Sequence, residues 1–158
     1  MKRPFWIEQA LFGDGDLAPA LQGEARADLC IVGGGFTGLW TAIQTKQQAP
    51  HLDIVILESD LCGAGASGRN GGCLLTWSAK YLTLRRLFGE AEAVRLVKAS
   101  EDAVGHIEAF CRTHGIDAEL RMDGTLYTAT STAQIGTMAP VMKALEEQGI
   151  RSYFELPP

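Results

Sequence analysis

DLCIVGGGFTGLWTAIQTKQQAPHLDIVILES, residues 28–59, decides the fold. Leu29, Cys30, Ile31 and Val32 form a short continuous apolar run, the pattern of a parallel strand covered on both faces. Glycines follow at once. From Phe36 to Gln48, Leu39, Trp40, Ala42 and Ile43 share one helical face, and Pro50 marks the helix end. Asp53, Ile54, Val55, Ile56 and Leu57 read as a second strand that finishes on Glu58. A strand, glycine turn, helix and strand within about thirty residues make a βαβ unit, which calls for a right-handed crossover and an α/β fold.

Gly33, Gly35 and Gly38 supply G-x-G-x-x-G in the strand-before, helix-after context that gives this motif its meaning. Gly33 permits the sharp turn. Gly35 lets a pyrophosphate approach the backbone where a side chain would collide, and Gly38 lets the helix pack tightly on the strand. The unpaired amides and positive dipole end of the helix then face the phosphates. Glu58, at the end of the second strand, is placed to accept hydrogen bonds from a ribose diol and to repel a 2′-phosphate. Nicotinamide and flavin dinucleotides share this fingerprint, so the choice between them rests on the chain beyond Glu58.

Outward from this unit, the composition is that of one globular domain or a piece of one. Of 158 residues, 46% are hydrophobic and 21% charged. A formal charge of -5 without a basic stripe argues against nucleic acid and anionic membranes as partners. No run reaches the ~18 apolar residues of a spanning helix, and Met1-Lys2-Arg3 leads into Pro4 and Glu8 rather than a signal region, so a cytoplasmic protein is expected. Cys30, Cys62, Cys73 and Cys111 are too widely separated for a zinc site, and no metal is expected.

Residues 1–27 mix Phe5, Trp6 and Phe12 with Gly13, Gly15, Pro19 and Gly23 without a period, and read as an irregular N-terminal arm draped over the domain. Beyond a short segment around Tyr81 to Leu87, Glu90 to His114 carries Val94, Val97, Val104, Ile107 and Cys111 on one face and closes on Gly115, a long amphipathic helix. Ala118 to Met122 and Thr125 to Ala129 flank Asp123-Gly124, the signature of a two-residue hairpin turn with both central residues at positive φ. Ser131-Thr132-Ala133-Gln134 fits a capping box for a helix carrying Ile135, Met138, Met142 and Leu145 to Gly149, with Pro140 a kink or break. Tyr153-Phe154 reads as a strand. His51, His106 and His114 fall in a loop or on polar helix positions, and Glu101 and Asp102 read as a solvated helix face. Met138 and Met142 read as core packing.

After Glu58 the chain enters GAGASGRNGG, Gly63 to Gly72, a long flexible loop rich in backbone amides where a nicotinamide domain would continue into another helix. With IVGGGFTGLWTA, ILES and GASGRNGG at this spacing, the chain resembles the D-amino acid oxidase-like family of flavin-dependent amine oxidoreductases, nearest its γ-glutamylputrescine oxidoreductase-like branch. GIDAELRMDGTLYTA, residues 115–129, is similar to that family's first substrate-domain hairpin. The resemblance implies a Rossmann-like, glutathione reductase-type FAD-binding domain, incomplete here, with the start of an α+β substrate domain. The division it implies is an arm at 1–27, the FAD-binding unit and glycine loop at 28–88, and the opening of the substrate domain at 89–158.

The cofactor implied is FAD. Carried over by position, Gly33, Gly34, Gly35, Phe36, Thr37, Gly38, Glu58 and Ser59 become the adenosine and pyrophosphate side, and Ala66, Ser67, Arg69, Asn70, Gly71 and Gly72 the side nearer the flavin. The implied reaction is hydride transfer from a small primary or secondary amine or an amino acid to the flavin, the imine product then hydrolysing. No His, Lys or Tyr stands in a motif that assigns it as a base, so no catalytic residue is assigned. Cys73 follows the loop, and a small buried hydrophobe is the favoured reading over flavin attachment. Members of the family are more than twice as long, so the expectation is an N-terminal portion of such an enzyme. The alternative is a truncated, non-catalytic dinucleotide-binding fragment.

Overall fold

The computed structural model describes residues 3–12 and 18–156, which form two compact units, 1–73 and 74–158. Gly13 and Gly15 of the expected arm lie outside the described residues.

In the first unit, β1 (Leu29–Val32) and β2 (Ile54–Leu57) pair in parallel with Leu29 opposite Ile54 and Val32 opposite Leu57. Backbone bonds prolong the ladder at both ends: Leu29 N–H donates to Asp53 O at 3.1 Å and Gly33 N–H to Leu57 O at 2.8 Å. The crossover is α2 (Phe36–Gln48), which packs on both strands. The covering is one-sided. Burial alternates along β1, with Leu29 and Ile31 half-buried and Cys30 and Val32 exposed. The expectation of a strand covered on both faces is corrected, because α2 shields a single face of this two-stranded sheet. The expected irregular arm is also corrected: Phe5–Ala10 is a short helix, α1, started by Pro4.

The second unit is helical. A 3₁₀ turn at Ser78–Lys80 leads into α3 (Tyr81–Phe88), Gly89 turns the chain into α4 (Glu90–Thr113), and α5 (Ala139–Glu146) follows. Glu90 and Glu92 open α4 and Arg112 closes it, each complementing the helix dipole. At its C-terminus Gly115 takes φ +62°, and Ile116 N–H reaches Cys111 O at 2.9 Å while Gly115 N–H reaches Arg112 O. This is a Schellman closure, which a residue with a Cβ adopts only under strain. Tyr81, Leu84, Ala93, Val97, Val141, Ala144, Leu145 and Ile150 make the core, with Met138 packed against it. Within this unit α3 packs on α4.

Five expectations fail here. Residues 118–129 form no strand, and of Asp123 and Gly124 only Gly124 has positive φ; a lone hairpin has no third strand or helix to pack on and is marginal by itself. Ser131 makes no side-chain cap; Gln134 Oε1 instead accepts from Thr130 N and Oγ1, closing a 3₁₀ turn at Thr132–Gln134. Pro140 therefore sits in the first turn of α5, where its missing N–H costs nothing, and does not kink a longer helix. Tyr153 and Phe154 form no strand, and Tyr153 packs edge-on against Tyr127 with ring centroids 5.8 Å apart. Burial pushes the Tyr153 hydroxyl up to about 12. Glu101 is half-buried rather than solvated, accepting from Ser78 Oγ at 3.1 Å and Ser152 Oγ at 2.6 Å. No helix among the described residues is long and apolar enough to cross a membrane, and no cluster of His, Cys, Asp or Glu among them could hold a metal ion.

Candidate functional site

Gly33, Gly34 and Gly35 between β1 and α2, and Gly38 in the first turn of α2, are glycine for different reasons. Gly33 takes φ +103° with open space where a Cβ would stand, so the requirement is conformational. Gly34 is buried against Cys62, whose Sγ would lie 2.5 Å from an added Cβ. A Cβ on Gly38 would stand 2.1 Å from Gly33 O and 3.3 Å from Ile31 Cγ2, which is the tight helix-on-strand packing expected of it. Gly35 has an ordinary extended backbone, φ -78°, and a Cβ there would meet only Ser67 Oγ, at 3.0 Å. Nothing in the polypeptide demands glycine at that position as strongly as at its neighbours.

Glu58 projects from the end of β2 to this turn. Its Oε2 accepts from Gly34 N–H at 2.8 Å, and its Oε1 accepts from Ser59 N–H at 2.8 Å, Ser59 Oγ at 3.1 Å and Asp60 N–H at 3.2 Å. These bonds, that from the Gly34 amide foremost, hold the carboxyl below its ordinary value, so an anionic acceptor stands beside the turn.

The glycine-rich stretch is folded over the turn by a set of hydrogen bonds. Ala66–Gly68 forms a 3₁₀ turn. From it Ser67 Oγ reaches across to accept the Phe36 N–H at 2.9 Å, capping the first amide of α2 from outside the helix. The residue at the N-cap position, Gly35, has no side chain to do this, and the first turn of α2 holds no acid. Asn70 braces the loop: its Nδ2 donates to Ser67 O at 2.7 Å and its Oδ1 accepts from Gly72 N–H at 2.8 Å. Gly63 N–H donates to Gly34 O at 2.9 Å, stitching loop to turn.

Gly33, Gly34, Gly35, Phe36, Gly38, Glu58, Ser59, Ser67, Asn70 and Gly72 are thus linked in one hydrogen-bonded and packed cluster. Arg69, Gly71, Ala66 and the Thr37 side chain lie exposed on its rim. Cys73 is also exposed, against its reading as a buried hydrophobe. Sequence reasoning missed Asp60 and its ion pair with Arg3, 2.6 Å apart, because a pairing across 57 residues leaves no periodic signal. It also missed the Trp6 indole N–H donating to Asn70 O at 3.0 Å.

A dinucleotide turn, an acid at the second strand's end and an amide-rich loop folded over the helix start are now in one place. The FAD dependent oxidoreductase family, DAO, matches residues 28–158. The chain belongs to that family. Its fold is accordingly an FAD-binding, Rossmann-like one, and FAD is the family's cofactor. Among curated relatives, a probable oxidoreductase OrdL of Rhizobium meliloti is 33% identical over 122 residues, 77% of this chain and 28% of that protein. Gamma-glutamylputrescine oxidoreductase of Escherichia coli is 32% identical over 123 residues, again 77% and 28%. A putative Rieske 2Fe-2S iron-sulfur protein, YhfW, of Bacillus subtilis is 29% identical over 117 residues, 73% of this chain and 23% of that protein. The chain thus spans less than a third of the length of these relatives. No solved structure matches it.

Proposed function

We propose that this chain carries the dinucleotide-binding part of an FAD-dependent oxidoreductase that oxidises a primary or secondary amine or an amino acid. The observation that carries the reading is the convergence of Glu58 and Ser67 on the Gly33 to Gly38 turn, with Gly35 left bare although the backbone there accepts any residue. Residues 28–88 would bind the cofactor and 89–158 would open an α+β substrate domain of the glutathione reductase-type arrangement. The chain's own residues fit the group. Glu58, kept ionised by its amide donors, retains acceptor capacity for a ribose hydroxyl at Oε2, which accepts the Gly34 N–H and has a second lone pair. The start of α2, whose N-cap Gly35 has no side chain and whose Phe36 amide is held by Ser67, turns its positive dipole end to the pyrophosphate. Ser67, Arg69, Asn70, Gly71 and Gly72 would line the path toward the flavin. When bound, FAD supplies the acceptor for a hydride leaving the carbon that bears the amine.

The amine class rests on the E. coli relative, whose name states a γ-glutamylated amine as substrate. The test is anaerobic mixing of the FAD-loaded whole protein with γ-glutamylated polyamines and amino acids. Bleaching of the flavin absorbance by one of them is expected. A flavoprotein inert to every amine but bleached by a reduced nicotinamide dinucleotide would overturn the substrate reading.

A further inference from the structure

The glycine-rich loop is held from two sides, and only the inner side belongs to the turn it covers. Five glycines between Gly63 and Gly72 leave it little stiffness of its own, so its shape depends on tethers. On the outer side stands α1. The Arg3 guanidinium grips the Asp60 carboxylate with Nε at 3.2 Å from both oxygens and Nη2 at 2.6 Å from Oδ1. Trp6 Nε1 donates to Asn70 O at 3.0 Å. Between them Ile7 lies against the loop, so closely that a Cβ on Gly68 would stand 3.1 Å from Ile7 Cγ1.

Each of these tethers sits one residue-to-residue bond away from a group assigned to the cofactor. Asp60, held by Arg3, donates its N–H to Glu58 Oε1, and Asn70, held by Trp6, grips Ser67 O. α1 has no buried residue and only six positions, too few for a helix stable in isolation. The family match begins at residue 28, beyond α1. We propose that α1 with the Arg3-Pro4 segment before it is a clasp for the cofactor loop, in which Arg3 and Trp6 are positioning residues that set Glu58 and Ser67 for the ribose and phosphates of FAD. This rests on the FAD reading above.

The test uses Arg3→Ala, Trp6→Phe, which keeps an aromatic ring and removes the indole donor, and the charge swap Arg3→Asp with Asp60→Arg. Three quantities are measured in the purified protein: the FAD dissociation constant by flavin fluorescence, the rate of trypsin cleavage after Arg69 without FAD, and the melting temperature. Each single variant should weaken FAD roughly three- to tenfold and speed cleavage after Arg69, with melting unchanged within about 2 °C, as suits the loss of one exposed contact. The swap should restore FAD affinity. If wild type binds FAD and the variants match it in affinity and cleavage, the clasp is wrong and the FAD reading stands. Affinity lost only in step with melting temperature, and not restored by the swap, reduces α1 to a structural element and also overturns the clasp. A wild-type protein that takes up no FAD overturns the FAD reading and the clasp together.

Discussion

Gly35 and Gly38 hold different places in the motif, and the surroundings of each in the structure differ accordingly. At Gly38 the obstacle is the protein's own backbone, so Gly38→Ala should destabilise the fold by about 1–3 kcal/mol or more, as overpacking does, measured by urea denaturation without FAD. At Gly35 an added Cβ would meet Ser67 Oγ, a side-chain hydroxyl that can rotate at the loss of its bond to the Phe36 N–H, so Gly35→Val should melt only a little below wild type yet take up no FAD. Normal flavin content in that variant would remove the pyrophosphate from this turn. Glu58 was legible because its place at a strand end carries meaning; the four donors around it were not, since they come from backbone amides and a loop whose course no pattern encodes. Its pH consequence follows from the sign of the shift. The folded carboxyl titrates below its ordinary value of 4.5, so the stability it contributes is complete above that pH and is lost as pH falls through the lower folded value. Melting temperature should therefore drop more steeply below pH 4.5 in wild type than in Glu58→Gln, and parallel curves would show that the carboxylate bonds add nothing.

At the scale of elements, what was legible is what local chemistry decides. The βαβ unit and α4 follow from apolar runs, helical periodicity and the glycines Gly33 and Gly115, all short-range signals. The elements that differ depend on partners. Asp123-Gly124 is a sound turn dipeptide, but paired strands also need a surface to pack on, and Met122, Leu126 and Tyr127 are exposed. Gln134 does reach back as a capping-box residue would, though to Thr130, one residue before the expected cap. α1 was hidden for the opposite reason: six residues with no buried side chain carry too little pattern to register, and their order comes from contacts more than fifty residues away. Hydrogen exchange should show this contrast directly. Amides of 118–129 should exchange at nearly unprotected rates while those around Val97, fully buried in α4, are slowest. Slow exchange across 118–129 would mean the strands pair after all.

At the scale of the whole molecule, the open surface of the first unit is the physical fact that most constrains its behaviour. Parallel sheets in α/β proteins are covered on both faces, and among the described residues α2 is the helix that packs on this one. Val32, at 87% exposure, and Cys30 stand on the bare face, and Leu57 beside Val32 is also exposed. A two-stranded sheet has, besides, a free edge on each strand. Exposed apolar faces and unpaired edges recruit whatever matches them, and another copy of the same sheet always does. These 158 residues by themselves should accordingly associate as their concentration rises, seen as a growing weight-average mass in sedimentation equilibrium. Val32→Lys should reduce that association, because a charge on the bare face must be desolvated for a second sheet to stack there, and it should leave the Gly33 to Gly38 turn unchanged because no core contact is removed. A monomer at every concentration with a single cooperative melt would show that the bare face does not drive assembly. Association undiminished by Val32→Lys would move its origin to the strand edges or to the second unit, where Leu126 and Ile135 are similarly exposed.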